Sequence, residues 1–87
     1  MIPIRVRYLN KVTKKRSQVT YDTELFDYDN IAFACYLNDC LGWAAGMDLE
    51  SAMVVARNAI HIVSVMDMST GLYLRKTGGT FDRLLIF

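Results

Sequence analysis

The chain has 87 residues, 53% of them hydrophobic, with two cysteines and a formal net charge of +1. That length makes one domain, residues 1–87, whose single core buries roughly 60–65% of the surface the unfolded chain exposes. The near-neutral charge argues against a bulk nucleic-acid binder, and two cysteines are too few for a disulfide scaffold. No apolar run approaches the ~18 residues of a membrane span, and the start lacks the charged-then-apolar pattern of a secretory signal. A cytoplasmic chain with no membrane partner is the expectation.

Ile4, Val6 and Tyr8 alternate with Arg5 and Arg7, and Val19, Tyr21 and Leu25 alternate with Gln18, Thr20, Asp22 and Glu24. Period-two alternation reads as two half-buried strands, with residues 10–17 as the hairpin loop. Pro3 suits the start of a strand, where its missing N–H matters least. With the apolar sets on one face, Arg5 and Arg7 share the other with Asp22 and Glu24, and cross-strand charge pairing accounts for them. The loop carries Lys11, Lys14, Lys15 and Arg16. Such a cluster is either a solvated tip or an electrostatic finger for phosphate or an acidic protein groove. No aromatic residue interleaves it, which weakens base stacking.

Asp27, Tyr28, Asp29 and Asn30 read as a turn opening a first helix. Phe33, Leu37, Cys40, Leu41 and Ala44 are expected on its core face, with Tyr36, Asn38 and Asp39 beside it and Gly42 or Gly46 ending it. Cys35 and Cys40, about 140° apart on a helix, should not pair. Trp43 lies in an apolar link to the next helix, as a core anchor or an interface anchor.

Residues 48–76 carry a periodicity switch. Asp48 is a candidate N-cap, with Glu50 in the first turn and Arg57 near the end, each at the dipole end that favours its charge. Leu49, Ala52, Met53, Ala56 and Ile60 recur at three- and four-residue spacing, so a helix face is expected there. From Ile60 the pattern becomes a strand in which Ile60, Ile62, Ser64 and Met66 alternate with His61, Val63, Val65 and Asp67. Both sets are largely apolar, which suggests a central strand covered in part on both faces. Ser69, Thr70 and Gly71 supply a turn. Leu72 and Leu74, against Tyr73 and Arg75, make the returning strand. Residues 77–80 read as another turn and residues 83–87 as a final strand, too apolar to be left bare.

The expected fold is therefore α+β: an antiparallel sheet of about five strands in the order ββααβββ, with two helices packed on one face. Each hairpin pairs its own strands, and the order between the two hairpins is open.

No catalytic, metal or cofactor signature emerges. His61 is the sole histidine and reads as a hydrogen-bonded packing residue. With Cys35 and Cys40 it lacks zinc spacing. The two glycines of residues 77–80 do not make a Walker loop, and the acids of residues 22–29 lack the Gly and Glu of a calcium loop. The leading expectation is a small non-enzymatic protein-binding module, perceived from the apolar excess, the adaptable Met47, Met53, Met66 and Met68, and the polarised charges. Its contacts are expected at Lys11, Lys14, Lys15 and Arg16 and at Asp27, Asp29 and Trp43. Its small size alone suggests an inhibitor of the kind phages direct against host defence proteins. A homodimer through the C-terminal strand is also expected. Nucleic-acid binding through residues 11–16, joined by Arg75, Lys76 and Arg83, ranks second, and a small-molecule pocket near His61, Trp43 and Tyr73 third.

Overall fold

The structure, a computed structural model, describes residues 1–39 and 47–82. In chain order it forms β1 (Ile2–Asn10), β2 (Lys15–Thr23), α1 (Tyr28–Asn38), α2 (Leu49–Ala59), β3 (Ile60–Asp67), β4 (Leu72–Thr77) and β5 (Thr80–Asp82). The strands make one antiparallel sheet in the order β2-β1-β3-β4-β5, and the helices pack against it, so the fold is α+β. The order left open by sequence is set by β1 pairing with β3, which puts these two long strands in the middle.

The β1–β2 hairpin turns at residues 11–14, shorter than expected, so Lys15 and Arg16 already belong to β2. The turn is built by Asn10, which is fully buried and whose Oδ1 accepts the Val12 and Thr13 N–H groups at 2.9 and 3.1 Å. Lys14 takes a left-handed φ of 61°, costly for a residue with a Cβ. Leu25 falls outside β2 and is exposed, because Thr23 ends the strand by accepting the Leu25 N–H on its hydroxyl. The β3–β4 turn matches expectation. Gly71 supplies a φ of 74°, while the buried Asp67 carboxylate accepts both the N–H and the hydroxyl of Ser69.

β3 is central, but the reason both of its residue sets are apolar is not coverage of both faces. Arg7 pairs with Ser64 and Tyr8 with Ile62, so Val63 is an extra residue in a β-bulge. Each residue skipped inverts the alternation. Ile60 and Ile62 are buried before the bulge and Val65 and Asp67 after it, while Val63 is 53% exposed.

The core joins Ile4, Val6 and Tyr8 of β1 to Ile60, Ile62 and Val65 of β3 and to Ile31, Ala32, Cys35 and Tyr36 of α1. The expected α1 face is thus displaced. Leu37 is exposed, and the helix ends at Asn38 with Asp39 as its C-cap, before Gly42 or Gly46. Asp48 caps α2 as expected, accepting the Ser51 N–H at 2.8 Å. The buried stripe of α2 is Ala52, Ala56 and Ala59, small residues that let it lie close against α1; Leu49 is exposed instead. Cys40, Trp43 and the expected strand of residues 83–87 lie outside the described residues, and β5 begins at Thr80, in the segment read as a turn.

Candidate functional site

Three long strands present their outer sides together. On β1 these are Arg5, Arg7 and Leu9; on β2, Arg16, Gln18, Thr20 and Asp22; on β3, His61, Ser64 and Met66. No described element packs over this side, as an antiparallel sheet allows. Beside them β4 adds Tyr73, which pairs with Met66, and Arg75, which pairs with Asp82. A shallow groove of about 550 Å³ crosses β2, β1 and β3 here, lined by Arg7, Tyr8, Arg16, Ser17, Gln18, Val63 and Ser64. The bulge shapes its β3 side, since the extra residue turns Val63 outward beside β1, which carries Arg7.

Cross-strand charge pairing does not hold the arginines of this face. Arg5 lies opposite Thr20, Arg7 opposite Gln18, and Asp22 opposite Pro3. Among the described residues no ion pair joins Arg5 or Arg7 to Asp22 or Glu24. Arg5 instead donates to the Met66 sulfur at 3.5 Å, and its buried Nε has no acceptor among the described residues.

The four basic residues expected to act together are divided. Lys11 and Lys14 stand on the turn, Arg16 joins the outer face, and Lys15, opposite the buried Asn10, projects on the helix side. The acidic positions lie elsewhere and are engaged within the fold. Asp27 caps α1, accepting the Asn30 N–H at 3.1 Å and its side-chain amide at 2.6 and 2.7 Å. Asp29 pairs with Arg57 of α2 at 3.5 Å, a partly exposed contact that contributes little stability. With Arg57 and Lys76 they line a second groove of about 490 Å³, where the charges balance locally. His61 is exposed rather than packed, opposite Leu9, and lies at the other end of β3 from the Met66–Tyr73 pair.

Two polar arrangements escaped the sequence reading. In the first, the buried Tyr8 hydroxyl donates to Asp39 Oδ1 and accepts from the Asn38 amide, while the Asn10 amide donates to Asp39 Oδ2. Burial, reinforced by the Asp39 bond, raises the Tyr8 pKa, so the ring stays a neutral donor. This network ties the hairpin tip to the end of α1. In the second, the Tyr28 hydroxyl accepts the Ile62 N–H at 3.0 Å and approaches the Ile60 carbonyl at 3.4 Å. The Tyr28 ring stacks on Phe81 and carries the Lys76 ammonium 4.3 Å from its centroid. Only the outer residues of each network, Asp39 and Tyr28, sit where helix-end chemistry could have pointed to them.

No protein-family model matches this chain, and no characterised protein or solved structure matches it either. No described helix is long and apolar enough to cross a membrane.

Proposed function

We propose that the chain is a non-enzymatic protein-binding module that meets its partner through the outer face of β2, β1 and β3. The observation that carries this reading is Val63, held outward by the bulge and sharing one groove with Arg7 of the neighbouring β1 and Arg16 of β2 beyond it. An apolar anchor at one side of a groove that also holds two guanidinium groups suits a protein surface that offers a side chain to Val63 and carboxylates to the arginines, which bind them in bidentate fashion. A nucleic acid would call for a continuous basic track with aromatic platforms. Here Lys15 departs to the helix side, Asp22 closes the arginine row at the Pro3 end, and Tyr73, the exposed aromatic group among the described residues, lies on β4 away from the groove. The expectation of an inhibitor acting on a host defence protein is a narrower form of the same proposal and rests on chain size.

The test is capture of a partner from nuclease-treated lysate, followed by calorimetry with that partner purified. Arg7→Glu and Val63→Asp should each weaken binding about tenfold or more, as groups central to an interface do. Submicromolar binding of nucleic acid by the wild-type chain, lost in Arg7→Glu, would overturn the reading.

A further inference from the structure

The two margins of the sheet are unlike. At the β5 margin, residues 26–28 run alongside the strand: Phe81 donates its N–H to the Phe26 carbonyl at 2.7 Å, and Tyr28 donates its own to Gly79 at 2.8 Å. At the other margin, β2 pairs with β1 alone among the described residues. It is nine residues long, has no proline, and is exposed along most of its length. An edge of that kind offers an unused row of backbone donors and acceptors.

We infer that β2 pairs with β2 of a second copy of this chain, antiparallel and centred on Val19. Two arguments select this partner and this register. First, a two-fold axis through Val19 sets Lys15 opposite Thr23, so every residue of one β2 (Lys15–Thr23) meets a residue of the other. Second, the charges match. Arg16 falls opposite the second copy's Asp22 on the outer face, and Lys14 opposite its Glu24 just beyond the strand. Shifting the centre to Gln18 or to Thr20 keeps just one kind of opposite-charge pairing. Among the described residues, neither Arg16 nor Asp22 has an ion-pair partner within its own chain. Paired residues in this register share a face, so both helix layers lie on one side of a continuous sheet. The backbone hydrogen bonds supply the attraction, and the ion pairs choose the register. Arg16 also lines the groove on the outer face, so the pairing is tested by self-association of the chain alone, without the partner proposed for that groove.

Sedimentation of the full chain from about 1 µM to about 1 mM tests the pairing. The wild type should pass from monomer to dimer within that range. Arg16→Asp and Asp22→Arg each bring like charges together across the axis and should weaken the dimer about tenfold or more. An equimolar mixture of those two variants restores opposite charges at every Arg16–Asp22 position and should form a heterodimer. The double variant Arg16→Asp/Asp22→Arg should dimerise like the wild type, which also shows that neither substitution prevents folding. A wild type that stays monomeric, a dimer indifferent to both single reversals, or a double variant that fails to recover would each overturn the inference.

Discussion

The Tyr28 hydroxyl accepts the Ile62 N–H at 3.0 Å, so a helix side chain occupies the place of a strand beside the first half of β3. β4 pairs with β3 only from Val65 to Asp67, leaving the backbone nearer Ile60 without that neighbour. Tyr28→Phe keeps the ring on Phe81 and removes this bond together with the longer one to the Ile60 carbonyl. The expected cost is about 1 kcal/mol, read from urea denaturation, with faster hydrogen exchange at the Ile62 amide.

At the hairpin tip two substitutions should act in opposite directions. Asn10→Ala leaves the Val12 and Thr13 N–H groups and the Asp39 carboxylate short of partners, and should cost about 2–3 kcal/mol. Lys14→Gly removes the Cβ from a left-handed position and should stabilise by up to about 1 kcal/mol. Thermal or urea melts of the two variants check both signs.

Local chemistry was legible in the sequence where one residue decides it. Asp48 as a cap, Gly71 in its turn, the buried set Ile4, Val6 and Tyr8, and a helix running directly into a strand at Ile60 all follow from short-range rules. What escaped depends on register between distant strands. The bulge at Val63 exists only relative to Arg7 and Tyr8, and without it the alternation of β3 cannot be phased. Arg16 and Lys15 are neighbours in sequence but lie on opposite faces, because the turn closes at residue 14. On α1, Ile31, Ala32 and Cys35 rather than Leu37 face the sheet, since the cap at Asp27 starts the helix at a rotation that spacing alone does not reveal.

Stability should fall on the alkaline side. Burial, aided by the Asp39 charge, pushes the Cys35 thiol up to about 12; burial first, then nearby Cys35 and Asp27, pushes Tyr21 up to about 12. An unfolded thiol ionises near ~8.5, whereas the folded state keeps its proton, so above that pH the unfolded chain binds fewer protons. Stability from Cys35 is therefore complete below about pH 8.5 and declines above it by at most about 1.4 kcal/mol per unit, with Tyr21 adding to the slope from about pH 10. Urea midpoints across this range should show the decline, and Cys35→Ala should flatten its first part. A buried, protonated Cys35 should also resist alkylation in the native protein.

Deleting Val63 separates fold from function. Without it Ile60, Ile62, Val65 and Asp67 fall on one unbroken alternation, and Tyr8 still meets Ile62 while Arg7 still meets Ser64. The shortened chain should fold with a stability within about 1–2 kcal/mol of wild type, since no buried side chain is lost. Binding of the partner should drop at least as far as in Val63→Asp. Circular dichroism and calorimetry on the same preparation check the two halves of this outcome.

The hydrogen bonds of Phe26 and Tyr28 along β5 have a consequence for assembly beyond the monomer. Strand addition propagates without limit only when each newcomer brings a fresh free edge with it. Among the described residues, the far margin is already bonded from within the chain, so the proposed joining at β2 would use the free edge of both participants. In that pairing the same few residues that anchor the start of α1 would act as a chain terminator, stopping edge-to-edge association at a pair where a sheet open on both sides would grow into a fibre.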